Sequence, residues 1–135
     1  MRKRLSTNIG IIAVLVLIFT LLFSSTALAW GYGTTDRLRK EGNDILVNGI
    51  TGTSDGAYQY IECETQLWYW NGSGWVNLNN DVKSAINKNI IGAEAQHPDI
   101  DPDYPNMYEG KSFHYWSDPL KGTGSCISYS DDLEL

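Results

Sequence analysis

The chain has 135 residues, with 10 basic and 16 acidic side chains and a formal net charge of −6 at pH 7. This length suits one domain with a single core. The negative charge argues against nucleic acids and anionic membranes as partners, because both would repel the protein.

The first 29 residues have the pattern of a secretory signal peptide. Basic residues at 2–4 precede an apolar run at 9–23, and Ala27 and Ala29 form an A-x-A cleavage site before Trp30. The run of about 15 residues is shorter than the roughly 20 that span a bilayer, so a retained anchor is the weaker interpretation. Cleavage would remove three basic residues and leave 135 − 29 = 106 residues with a net charge of 7 − 16 = −9. We expect a secreted mature protein without a membrane span.

The mature chain divides into an N-terminal segment at 30–43, a domain at 44–130 and a tail at 131–135. A first strand is predicted at 44–53. The clearest signal is YQYIECETQLWYW at 58–70, where apolar side chains recur with a period of two.

An Asn-Gly pair at 71–72 follows this strand and precedes a second aromatic run. Both residues tolerate positive φ, so the pattern predicts an antiparallel hairpin of 58–70 with 74–79. Residues 82–96 fit either a helical stripe or strands; Asn87, Asn89 and Gly92 are poor helix formers, and we favour a strand near 89–96.

Two further strands are predicted at 111–116 and 125–130. The two cysteines, Cys63 and Cys126, both lie in the exported part, where an isolated pair usually forms a disulfide. This disulfide would close a loop of 126 − 63 − 1 = 62 intervening residues, which corresponds to about 4 kcal/mol of stabilisation. The sequence thus predicts an all-β fold, a small antiparallel β-sandwich of about six strands with one disulfide.

The order of motifs resembles that of small secreted β-sandwich proteins of Gram-positive bacteria, a group of unknown function. The likeness rests on a Gly-rich first strand, Leu67-Trp68 before NGSGW, a strand from Gly110 to His114 and a Ser-rich last strand at 125–130. It covers about residues 44–130. It implies the fold and export, and it assigns no functional residue.

An acidic, proline-rich stretch, HPDIDPDYPN at 97–106, suggests a metal site. Alternate carboxylates converge on Ca²⁺ in calcium loops, but the Gly and Glu positions of an EF-hand are not matched here. The candidate calcium ligands are Asp99, Asp101, Asp103 and Glu109. The alternative is an exposed loop held extended by proline, and no other cofactor is expected.

Aromatic residues crowd the predicted hairpin. If Trp68 and Trp70 lie opposite the Cys63 face, they form with Trp75 an outward platform beside Glu62 and Glu64, suited to stacking on a sugar. The alternative is cross-strand packing that only stabilises the hairpin. The two histidines, His97 and His114, lie on different predicted elements. His114 is expected to be a packed or edge-facing strand residue.

We therefore predict a non-catalytic extracellular or cell-surface interaction module that binds glycan or a surface protein, with no catalytic residue assigned. One alternative is a structural subunit of the cell surface that self-assembles through sheet edges and the same aromatic residues. Another is a small secreted hydrolase, since Glu62 and Glu64 lie about 6–7 Å apart on a strand, a spacing found for glycosidase carboxylates. The oligomeric state stays open.

Overall fold

A computed structural model of the protein describes residues 30–101 and 106–130 and the backbone of 133–134. The predicted cleavage residues Ala27 and Ala29 and the candidate ligand Asp103 lie outside these residues. None of the described residues is helical, and none belongs to a helix long and apolar enough to cross a membrane.

Nine strands make up the regular structure of the described chain. They are β1 (Gly31–Thr35), β2 (Arg39–Glu41), β3 (Asp44–Thr53), β4 (Tyr58–Trp70), β5 (Trp75–Lys88), β6 (Ile90–Pro98), β7 (Met107–Asp118), β8 (Gly122–Tyr129) and β9 (Leu133–Glu134).

The strands form two antiparallel sheets. In sheet A, β3 pairs with β6 on one side and with β1 and β2 on the other. In sheet B the order is β5-β4-β7-β8. The short β9 pairs with the first residues of β7, on the same side of β7 as β8. This confirms the predicted all-β, antiparallel two-sheet fold.

The core has an apolar cluster towards each end and a polar centre. One cluster contains Leu38, Ile45, Val47, Leu67, Ala95 and Tyr108, and the other contains Tyr58, Ile61 and Trp116. Between them lie buried Thr51, Thr65, Ser112 and His114. Short polar side chains can be buried here because they form hydrogen bonds with one another.

The predicted hairpin is confirmed as β4 and β5. Asn71 holds the turn: its Oδ1 accepts from the backbone N–H groups of Ser73 and Gly74 at 2.9 and 3.0 Å. Gly72 has φ of 90°, a conformation that glycine adopts without strain. The pairing shifts register at Leu67/Trp68, where β5 carries a bulge.

The ambiguous segment 82–96 is extended rather than helical. Strand β5 continues to Lys88, and β6 begins at Ile90 in the other sheet. Near the end of β5, Asn87 has φ of 54°, a conformation that asparagine tolerates better than most residues, and the chain bends at Asn89 before β6. The poor helix formers of this segment therefore mark a crossing between sheets.

The predicted disulfide is wrong, since Cys63 and Cys126 are both free thiols. Cys63 lies opposite His114 of β7, and His114 lies opposite Cys126, so a whole strand separates the two cysteines. Two interstrand spacings place the cysteine backbones about 10 Å apart. A disulfide needs Cα atoms about 4.4–6.8 Å apart.

Residues 30–43, predicted as an N-terminal segment, supply β1 and β2 of sheet A. Two glycines of β1, Gly31 and Gly33, lie so close to sheet B that an added Cβ would overlap the rings of Trp116 and His114. Because glycine has no Cβ, β1 can pack directly against these two rings.

Candidate binding face

The outer face of sheet B presents the side chains that point away from sheet A. Successive residues of a strand point to opposite sides, so burial of Ile61, Cys63 and Leu67 turns the even-numbered residues of β4 from Tyr60 to Trp70 outwards, whereas Tyr58 at the start of the strand is buried. The face comprises Tyr60, Glu62, Glu64, Gln66, Trp68 and Trp70 of β4, Trp75, Val82 and Ile86 of β5, Lys111, Phe113 and Tyr115 of β7, and Ser125, Ile127 and Tyr129 of β8.

Side chains along β4 are joined by hydrogen bonds. Tyr60 donates its hydroxyl to Glu62 Oε2, and this bond is the main reason that the pKa of Tyr60 is raised. Gln66 donates to Glu64 at 2.7 Å and accepts from Trp68 Nε1 at 3.0 Å. These bonds fix the orientation of the carboxylates and of the Trp68 ring.

The three tryptophans predicted to form a platform lie at one end of this face. The rings of Trp70 and Trp75 meet edge to face, with centroids 5.6 Å apart. Trp70 is 38% exposed, whereas Trp68 and Trp75 are half-buried. The hairpin therefore combines cross-strand packing with one exposed ring.

A depression of about 460 Å³ lies further along the same face. It is lined by Glu62, Phe113, His114, Tyr115, Ser125, Cys126 and Ile127. Of these residues, the sequence predicts only Glu62 as a ligand contact. The overlooked signal is the alternation of Phe113 and Tyr115 in KSFHYW, which puts both rings on one side of β7.

The rings around this depression are held in place by their neighbours. Tyr115 packs edge to face on Tyr60, with centroids 6.0 Å apart. Lys111 Nζ lies 4.8 Å from the ring centre of Phe113 and 5.6 Å from that of Tyr129, in cation–π contact. The result is a shallow aromatic site with a carboxylate at its side.

The candidate calcium ligands are not brought together among the described residues. Asp99 is buried, with its Oδ2 2.7 Å from Lys40 Nζ and its Oδ1 accepting from Tyr108 and Asn106. Glu109 follows Tyr108 on β7 and therefore points to the opposite side of sheet B. Within the described ranges no cluster of three or more metal-ligating groups is present, and calcium binding stays a prediction.

The charge of Asp99 is stabilised by its partners. Burial favours the neutral acid, but the ammonium of Lys40 and the donors Tyr108 and Asn106 more than offset it, so the pKa of Asp99 lies below its usual value. Burial and the bond to Asp99 in turn raise the pKa of Tyr108. The acidic loop thus anchors the end of the sandwich through its first aspartate.

His114 is buried and belongs to a directed chain of hydrogen bonds. Thr51 donates its hydroxyl to the carbonyl of Glu62 at 2.8 Å and therefore accepts from His114 Nδ1, also at 2.8 Å. On the other side of the ring, Nε2 then accepts from Ser128 at 2.7 Å. Ser128 in turn lies 2.6 Å from Thr35 Oγ1 of β1, so the chain links the two sheets.

A second cleft, of about 380 Å³, opens where β5 passes β6. It is lined by Asn48, Gly49, Ile50, Asp81, Lys83, Gly92, Ala93 and Glu94. Its charged groups already have partners, since Glu94 lies 2.8 Å from Arg39 and Asp81 lies 3.2 Å from Lys83. Each ion pair lies within one sheet, and hydrogen bonds join the two sheets here: Asn79 donates to Gln96 O at 2.7 Å, and Glu94 N–H donates to Asp81 Oδ2 at 3.1 Å.

No protein-family model and no curated protein matches the chain. One similar solved structure is a solution structure described as a late embryogenesis abundant (LEA) protein, with 12% identity and a TM-score of 0.48 over 98% of this chain and 88% of that one. Another is ACE19, the collagen-binding subdomain of the Enterococcus faecalis surface protein ACE, with 8% identity and a TM-score of 0.39 over 76% of this chain and 96% of that one. Both scores are below 0.5, so the fold assignment rests on the strand pairing described above.

Proposed function

We propose that this protein is a secreted, non-catalytic binding module that holds an extracellular glycan on the outer face of sheet B. The observation that supports this most directly is the depression beside Glu62, bordered by the rings of Phe113 and Tyr115. Its volume of about 460 Å³ suits a small ligand unit. The apolar side of a sugar ring stacks on an aromatic ring, while its hydroxyl groups donate to a carboxylate.

The length of the face favours a chain of sugars over a single one. Glu62 and Trp70 are eight residues apart on β4, which corresponds to about 26 Å. Glu64, Gln66 and Trp68 fill the distance with polar groups whose orientation is already fixed by hydrogen bonds. A pre-organised surface loses little side-chain entropy on binding.

The charge of the face favours neutral or amino-bearing sugars. Glu62 and Glu64 supply acceptors along its centre, and the whole chain carries a net charge of −6. A polyanionic glycan would be repelled. Hydroxyl or ammonium donors on the ligand match these acceptors.

Retention on an insoluble neutral polysaccharide, with chitin as the probe, tests the proposal. We expect Tyr115→Ala and Trp70→Ala each to weaken binding about tenfold, equivalent to about 1.4 kcal/mol. Trp30→Ala is the matched control, since Trp30 is an exposed aromatic outside sheet B. Equal retention of all three variants, or equal loss in Trp30→Ala, would overturn the assignment of the face.

A further inference from the structure

Strand β8 is an edge strand whose outward backbone groups can be identified. Ser130 donates to the carbonyl of Gly110 at 2.9 Å, which makes these residues a hydrogen-bonded pair in the register of β7 and β8. Hydrogen-bonded and non-bonded pairs alternate along an antiparallel ladder. The even-numbered residues of β8 therefore bond to β7, and the odd-numbered ones direct their N–H and C=O groups to the free edge. Those four residues are Thr123, Ser125, Ile127 and Tyr129, and in the described part of the chain no strand pairs with that side.

This edge lacks the protection that the opposite seam has. Edge strands are usually guarded by charge, bulges or covering groups. Strand β5 carries charged residues and a bulge. The free edge of β6 is covered by Asn79, which donates to Gln96 O at 2.7 Å, and by Asp81, which accepts from Glu94 N at 3.1 Å. Strand β8, GTGSCISY, contains neither a charge nor a proline.

We propose that β8 pairs antiparallel with β8 of a second copy of this chain, about a two-fold axis at Cys126. In this register Ser125 lies opposite Ile127 of the other copy, and Thr123 lies opposite Tyr129. All four outward residues of each copy then form ladder bonds. Strand addition of this kind draws its affinity from main-chain hydrogen bonds, and the two copies join their B sheets into one.

The composition of β8 favours a second copy as the occupant. An isologous interface needs a surface that is complementary to itself, and an uncharged strand meets its own copy without repulsion although the whole protein is acidic. Ile127 and Tyr129 are 50% and 56% exposed, and the pairing covers part of both side chains. The surface involved is smaller than a standard interface, so the dimer is expected to be reversible.

The position of Cys126 provides a specific probe. Its backbone bonds to β7, so at the two-fold axis it faces its own copy as a non-hydrogen-bonded pair, with Cα atoms about 4.5 Å apart. That spacing lies within the range for a disulfide. With oxidised glutathione as the oxidant, two Cys126 thiols lose two protons and two electrons to form one S–S bond, and glutathione disulfide is reduced to two thiols. Cys63 is fully buried and cannot take part.

Sedimentation velocity and cross-linking of the full mature chain test the pairing. At about 100 µM, a concentration that populates a dimer with a micromolar Kd, we expect a dimer for the unmodified protein and for Cys126→Ser. Oxidised glutathione should give a covalent dimer of the unmodified protein and of Cys63→Ala, and none of Cys126→Ser. A monomer at this concentration, or no covalent dimer, would overturn the proposal.

Charge variants on the two edges locate the interface. Ile127→Lys should shift the dimer to monomer, because it places two charges in the pairing region. Val82→Lys is the matched control: Val82 is 48% exposed and lies in the same cross-strand row on β5, and its variant should remain dimeric. Thr123→Pro gives a second disruption, since it removes an outward donor without breaking the ladder to β7. Equal effects of Ile127→Lys and Val82→Lys would contradict pairing through β8.

Discussion

Cys63 Sγ lies 3.8 Å from His114 Nδ1, and His114 stands between Cys63 and Cys126 in one row across sheet B. An imidazole and the backbone of β7 thus occupy the space that an intramolecular disulfide would have to cross. The stability of the sandwich therefore comes from its two apolar clusters and the hydrogen bonds between them.

We expect a reducing agent to leave the melting temperature of the monomer unchanged. Thiol titration of protein purified without oxidant should detect two thiols after unfolding and only Cys126 in the native state, because Cys63 is fully buried. A fall in melting temperature on reduction, or the absence of any thiol after unfolding, would show that the two cysteines form the predicted disulfide.

The buried His114 predicts a loss of stability in mild acid. Burial lowers the pKa of His114, so below the unfolded value of about 6.5 the unfolded chain binds more protons than the folded one. The contribution of the neutral His114 to the free energy of unfolding should be fully present above about pH 6.5. It should be lost progressively as the pH drops from there towards the folded pKa. The side chains around the ring, those of Thr51, Ser128 and Cys63, carry no charge that would compensate an imidazolium.

Urea unfolding at about pH 7.5 and about pH 5 measures this effect. His114→Gln should flatten the pH dependence over this interval even if it lowers stability throughout. His97→Gln is the control, because His97 is on the edge strand β6 and, within the described part of the chain, its ring bonds to the neighbouring Pro98 O. An unchanged slope in His114→Gln would contradict the assignment.

The ion pair of Asp99 and Lys40 predicts a second transition at lower pH. The pKa of Asp99 is held below its usual value, so its contribution is present above the unfolded value of about 3.9 and is lost as the pH falls through the folded pKa. Asp99→Asn should cost about 1–3 kcal/mol at neutral pH, because it removes a charge-assisted bond from a buried cluster. Thermal denaturation compared with the exposed-site variant Asp36→Asn measures the difference. Equal stability of the two variants would contradict the anchoring role of Asp99.

Calcium should not stabilise the protein through Asp99. Both carboxylate oxygens already have donors, and a cation would have to displace the ammonium of Lys40. We expect an unchanged melting temperature in millimolar CaCl2, with EDTA-treated protein as the reference. A rise that disappears in Asp99→Asn would support the calcium site predicted from the sequence.

The close approach of β1 to sheet B predicts that Gly33→Ala is strongly destabilising. The new methyl group would overlap the His114 ring, and relieving the overlap displaces β1 at a cost of about 1–3 kcal/mol or more. Gly74→Ala is the matched control, since nothing lies within 4 Å of its added Cβ. Denaturant unfolding should separate the two variants clearly, and similar midpoints would contradict the packing.

Local patterns were sufficient for part of this architecture. The period of two in 58–70 placed Glu62, Glu64 and the tryptophans on the face opposite Cys63, because alternation is a property of the strand itself. The Asn-Gly turn predicted the hairpin for the same local reason. The direction of 82–96 was harder, since Asn87 and the following residues belong to a crossing that only packing between two sheets determines.

The amino-acid sequence by itself determined the β-strand content, the hairpin and the outward side of β4, because these depend on neighbours along the chain. Only the tertiary structure decided that β7 separates the cysteines, that Phe113 and Tyr115 meet Ser125 and Glu62 around one depression, and that an aspartate from an acidic loop is buried on Lys40. Strand order and register bring together residues far apart in the chain, and side-chain patterns along a single strand do not specify which strand lies beside it.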